Sequence, residues 1–143
     1  MAKRILTPID ARERRETIVP VVAALARETG AAVRLLRVFP VPGRVIGNHG
    51  QTVAFSDQEM ARLTHEGLSD LRHLEADLSG VPVDAVVRFG DPVEEIVLEA
   101  EAFDADLVAL TADQQGYLRT ALAPGVADRV ARRVAVPTLT LRG

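Results

Sequence analysis

Short apolar runs alternate with segments of helical spacing along the whole chain, and this alternation constrains the fold more than any other feature. Ile5-Leu6-Thr7-Pro8-Ile9 is an apolar run ending at Asp10 and reads as a buried strand. Arg15 to Thr29 reads as a helix, with Ile18, Val22, Leu25 and Ala26 at helical spacing and Gly30 suited to the stop. Pro20 requires that this helix start near Glu16 or Thr17, or kink. Ala32 to Val38 is a second strand, closed by Pro40 and Pro42. Pro40 to Phe55 has no clean period and reads as a loop, after which Ser56-Asp57-Gln58-Glu59 is a capping box. The helix it opens carries Met60, Leu63, Gly67, Leu71, Leu74 and Leu78 on to Ser79-Gly80. Val83 to Phe89 is a third strand. Asp91 as N-cap, Pro92 at the first helical position and Glu94 two residues on then start a helix striped by Ile96, Val97, Ala100 and Phe103. Asp106 to Thr111 is a strand, Ala112 to Ala123 a loop, Pro124 or Gly125 to Arg133 a helix, and Val136 to Leu141 the last strand. Strands alternating with helices give an α/β fold, a mostly parallel sheet with helices on both faces. No internal repeat or domain boundary interrupts residues 1–143, which read as a single domain.

Composition removes several classes of function. With 0 Cys there is no disulfide framework, thiol nucleophile or thiolate metal site. The net charge of −3 is well mixed in sign, and the densest run, Arg12-Glu13-Arg14-Arg15-Glu16, alternates, which suits a solvated surface rather than nucleic acid. No run is long enough to span a bilayer, and the apolar run from Ile5 meets Asp10 too soon for a signal peptide. The cytoplasm is the expected location. His65 and His73 stand eight apart on one helix and His49 has no neighbouring carboxylate, so no metal site is expected. Ser56, Ser69 and Ser79 sit in no nucleophile elbow. Glu94, Glu95, Glu99 and Glu101 read as a solvated helix face rather than paired catalytic carboxylates, so no enzymatic activity is expected.

Four pieces of the chain, in order and spacing, resemble the universal stress protein family. Ile5-Leu6-Thr7-Pro8-Ile9-Asp10 is similar to the family's opening strand ending in Pro-x-Asp. Arg88-Phe89-Gly90-Asp91-Pro92 resembles its Gly-Asp-Pro helix start, and Asp104-Ala105-Asp106-Leu107-Val108-Ala109-Leu110 its Ala-Asp-Leu-Ile-Val-Met-Gly strand. Val126-Ala127-Asp128-Arg129-Val130 and Val136-Pro137-Thr138-Leu139 resemble its Ser-Val-Ala-Glu-Arg-Val helix and Cys-Pro-Val-Leu strand. The resemblance implies a three-layer Rossmann-like domain, a five-stranded parallel sheet with four helices of the adenine-nucleotide-hydrolase-like kind. It also implies a homodimer and a role in stress tolerance; many members bind ATP and others do not.

Nucleotide-binding members follow the fourth strand with G-x2-G-x9-G-[ST], whose glycines let backbone N–H groups approach phosphate oxygens. Here Leu110 and Asp113 stand at the first two glycines, and Ala123-Pro124 or Pro124-Gly125 at the third glycine and its hydroxyl. Proline lacks a donor, a Cβ blocks close approach and Asp113 adds negative charge, so no nucleotide cofactor is expected. If a nucleotide or other small ligand does bind, Asp10, Thr111, Gly116 and Gly125 are the remaining candidate residues. Asp10 also reads as a cap of the turn that follows it, and Thr111 as the end of its strand.

The last strand, Val136 to Leu141, carries no charge until Arg142 and would lie at a sheet edge, which invites pairing. The resemblance implies a homodimer through this strand. The resulting expectation is a dimeric binding or regulatory protein that offers helix faces or the Pro40 to Phe55 loop to an unidentified protein partner. The alternatives are an atypical adenine-nucleotide switch or weak ATPase, and a small-molecule carrier.

Overall fold

The computed structural model describes residues 3–9, 15–42, 50–112 and 125–142. They form β1 (Arg4–Pro8), α1 (Arg15–Thr29), β2 (Ala32–Phe39), α2 (Gly50–Glu75) with a closing 3-10 turn (Ala76–Leu78), and β3 (Val83–Phe89). Then follow α3 (Pro92–Phe103), β4 (Leu107–Ala112), α4 (Val126–Arg133) and β5 (Thr138–Arg142). The strands make one five-stranded sheet in the order β3-β2-β1-β4-β5, with every pairing parallel. Alternate strand residues feed two cores, because successive side chains leave a strand on opposite faces. Ile5, Val33, Leu35 and Ala109 pack with Ile18, Val22 and Ala26 of α1 and Leu71 of α2. Leu6, Leu36, Val108 and Leu110 pack with Ile96 and Ala100 of α3 and Ala127 and Val130 of α4. The result is the three-layer α/β Rossmann-like sandwich that the alternation predicts.

The start of α3 follows the local sequence closely. Asp91 is the N-cap, its carboxylate accepts the Glu94 N–H at 3.0 Å, and Pro92 takes the first position, where a missing N–H costs nothing. The helix ends at Asp104, whose φ of 60° is left-handed. Asp91→Ala is expected to remove the cap and about 1 kcal/mol of stability, read as a lower urea midpoint at unchanged slope.

The starts of α2 and β5 differ from expectation, and Pro20 is accommodated within α1. α2 is already helical at Gly50, so residues 50–55 belong to a helix rather than to the loop expected from Pro40 to Phe55, and Ser56 lies inside the helix. No Pro or Gly stands between Gln51 and Glu66 to stop the helix, so the capping box signals a permitted start rather than a required one. Pro20 lies inside α1 on its exposed side, where it removes one helical hydrogen bond. β5 begins at Thr138 rather than Val136: Pro137 precedes the ladder, and its carbonyl accepts the Val108 N–H at 3.1 Å.

From β1 the chain builds outward through β2 to β3, then crosses back to β4 on the other side of β1. The order in which strands are added therefore reverses between β1 and β4. Ligands of open α/β sheets bind beyond the carboxyl ends of the strands at such a reversal. Among the described residues no helix is long and apolar enough to cross a membrane.

Candidate functional site

The carboxyl ends of β1 and β4 define the candidate crevice. Of the four candidate ligand residues, Asp10 and Gly116 lie outside the described residues. Thr111 is half-buried in β4 and paired with Leu141 of β5. Gly125 is the N-cap of α4, with φ 87° and no side-chain cap; among the described residues a Cβ there would meet nothing within 4 Å. Alternation from Ala109 puts the Thr111 side chain on the α1 side of the sheet, whereas α4 packs on the other. The fold thus brings Thr111 and Gly125 to the same end of the sheet but to opposite faces.

The backbone around the expected phosphate loop is committed to the sheet. Leu110, Thr111 and Ala112 pair with Thr140, Leu141 and Arg142, and the Leu110 side chain is buried in the core beneath α3 and α4. Gly125 directly precedes Val126, so a glycine holds the N-cap where a hydroxyl would serve. Nearby, on β1, Thr7 is fully buried and, among the described residues, its Oγ1 has no hydrogen-bond partner. An unpaired buried hydroxyl costs roughly 1–3 kcal/mol. Thr7→Val keeps the shape and is expected to stabilise the protein by about 1 kcal/mol in thermal unfolding; a loss would reveal a partner for the hydroxyl.

Sequence reasoning missed an ionic network on the α3 side. Glu99, read as part of a solvated face, is 3% exposed. Its carboxylate accepts from Arg34 Nη1 at 2.7 Å and from Arg88 Nη1 at 2.5 Å. Arg34 also forks onto Asp84 at 3.0 and 3.1 Å and stacks over the Phe103 ring at 4.2 Å, while Arg88 donates to Glu95 at 2.8 Å. The hydrogen bond to Asp84 comes first in holding the Arg34 pKa above its ordinary value, and that to Glu95 does so for Arg88. The network was legible in part: Glu95, Glu99 and Phe103 stand four apart on α3, one line along a helix. Arg34 and Arg88 are charges within otherwise apolar strands. These groups pair with one another between α3 and the sheet, an arrangement that fits a structural lock better than a catalytic centre.

Among the described residues no group of three or more His, Cys, Asp or Glu is placed to hold a metal ion. His65 and His73 share an open groove on α2 with Ser69 and Arg72, and His73 Nδ1 lies 2.9 Å from the Ser69 carbonyl.

Among solved structures, hypothetical protein MJ0577, whose biochemical function was assigned from its structure, is 26% identical over 99% of this chain and 96% of its own, with a TM-score of 0.81. Universal stress protein UspA from Lactobacillus plantarum is 18% identical over 98% of this chain and 97% of its own, with a TM-score of 0.71. The universal stress protein from Archaeoglobus fulgidus in complex with dAMP is 19% identical over 96% of each chain, with a TM-score of 0.61. At 18% and 19% identity these last two attest the fold alone. No curated protein matches the chain. The sequence profile of the universal stress protein family matches residues 1–142. The chain belongs to the universal stress protein family.

Proposed function

We propose that the protein acts as a dimeric binding protein in stress tolerance, in the cytoplasm, without catalysis of its own and without the ordinary ATP site of its family. The observation that carries this reading is the end of β4. A phosphate cradle needs free N–H groups on a backbone without Cβ atoms. Here the Leu110 side chain is buried in the core and Leu110 to Ala112 are laddered to β5. Asp113 and Pro124 would add a negative charge and remove a donor.

The edge position of β5 supports the dimer. Val108 donates to Pro137, so in this parallel ladder the odd residues of β5 bond to β4 and the even ones, Thr138 and Thr140, turn their N–H and C=O groups outward. A second copy of the strand, antiparallel about a two-fold axis, would satisfy these groups. Helix faces of the dimer, α2 among them, would receive a protein partner. Sedimentation tests the dimer: the wild type is expected to associate, and Thr140→Pro, which deletes an outward N–H and none used by β4, to lose the β5 contact and sediment at a lower mass than the wild type. A wild type that stays monomeric on concentration contradicts the reading.

A second reading, an adenine-nucleotide switch or weak ATPase, is favoured by one observation: Gly125 opens α4 with a positive φ, and among the described residues no atom lies where its Cβ would reach. The dAMP complex of the Archaeoglobus fulgidus protein shows that this fold accommodates an adenine nucleotide. Calorimetric titration with Mg-ATP separates the two readings, since saturable stoichiometric heat would favour the second.

A further inference from the structure

The opposite edge of the sheet carries a second self-complementary surface. Among the described residues β3 has β2 on one side and no strand on the other. Val33 donates to Pro82 and Gly90 donates to Phe39, with Val33 level with Val83 and Phe39 level with Phe89. In a parallel ladder this parity commits the even residues of β3 to β2. The odd residues, Val83, Ala85, Val87 and Phe89, turn their N–H and C=O groups to the open edge. The whole strand remains partly exposed.

We infer that this edge pairs with a second copy of itself, antiparallel, about a two-fold axis through Val86. Three features of Val83-Asp84-Ala85-Val86-Val87-Arg88-Phe89 agree on that register. Val83 falls opposite Phe89 and Ala85 opposite Val87, so each hydrogen-bonded pair joins residues whose polar groups face outward, and none of those groups is left over. Asp84 falls opposite Arg88 of the second copy, in the closer, non-hydrogen-bonded kind of pair, where opposite charges stabilise. Sliding the register to centre on Asp84 or on Arg88 keeps the hydrogen-bond parity but sets like charges face to face. Asp84 is more than half exposed, and Arg88 uses Nε and Nη1 within its own chain, which leaves Nη2 to reach across. The contact is independent of β5, so a chain that uses both edges extends beyond a dimer.

The absence of native cysteine makes the test direct. Val86→Cys places one thiol on the axis, where the paired Cα atoms would stand about 4.5 Å apart, within disulfide reach. Mild oxidation of Val86→Cys in the Thr140→Pro background is expected to shift the chain from one to two chain masses on a non-reducing gel. Ala85→Cys, which faces Val87 across the axis, is expected to stay at one. The wild-type protein supplies a second readout: hydrogen exchange at the amides of Val83, Ala85, Val87 and Phe89 is expected to slow as concentration rises. Cross-linking of Val86→Cys no faster than of Glu101→Cys on the exposed side of α3, with exchange independent of concentration, would overturn the inference and leave Asp84 and Arg88 as charges that blunt the edge.

Discussion

Glu99→Ala is expected to cost about 3 kcal/mol, one of the two largest losses among single substitutions considered for this protein. The carboxylate is buried between two guanidinium groups at 2.7 and 2.5 Å. Deleting it leaves Arg34 Nη1 and Arg88 Nη1 without their shared acceptor beneath α3, and a cavity where the carboxylate stood. Breaking a buried ion pair costs roughly 3–5 kcal/mol. The lower end applies here, because Arg34 and Arg88 keep 23% and 30% of their side chains exposed and retain Asp84 and Glu95 as partners. Glu99→Gln keeps the shape and one acceptor and should lose about half as much. Urea unfolding monitored by circular dichroism measures both. A Glu99→Ala loss below about 1 kcal/mol would show the pair to be no stronger than a surface bridge.

Gly67→Leu is expected to be equally damaging for a steric reason. Gly67 lies in the middle of α2, where glycine is about 1 kcal/mol worse than alanine on propensity alone. A Cβ at this position would lie 3.0 Å from Phe39 Cε2 and 3.0 Å from Val87 Cγ2. The Phe39 ring is buried and stacked on Phe89 at a centroid distance of 5.7 Å, so it cannot swing clear without breaking that pair. The missing side chain is what lets α2 approach β2 and β3. Gly67→Ala sets its helix gain against the squeeze on two side chains and should come out near neutral or slightly destabilising. Leucine adds three further carbons and should cost about 3 kcal/mol. For a domain of this size that lowers the melting temperature by about 10 °C. An unchanged melting temperature for Gly67→Leu would mean that α2 rides further from the sheet than 3.0 Å contacts imply.

The parts of the fold that were legible in the sequence are those set by local chemistry. Asp91-Pro92 announced the start of α3 because cap and proline act on the backbone beside them. The alternation of apolar runs announced the layers because burial on both faces leaves strands little polar residue. The start of α2 was not legible, since Ser56 is compatible with a cap and with a helix interior, and only context decides. Glu99 was misread for the same reason: its partners Arg34 and Arg88 are distant in sequence, and the period of α3 alone places it at the margin of the buried stripe. At the candidate crevice, Gly125 could be placed beside the last helix, but its role as N-cap depends on the helix starting at Val126 rather than earlier. That Thr111 faces away from Gly125 follows from strand register, which no local motif encodes.

The central claim, a dimer without an ordinary ATP site, is tested most directly by native mass spectrometry of freshly purified protein with and without Mg-ATP. The account predicts a mass of two chains, or of higher even assemblies, that carries no nucleotide and stays bare when Mg-ATP is added. A dimer that arrives with, or takes up, one adenine nucleotide per chain would contradict it and make the end of β4 and the start of α4 a working phosphate site.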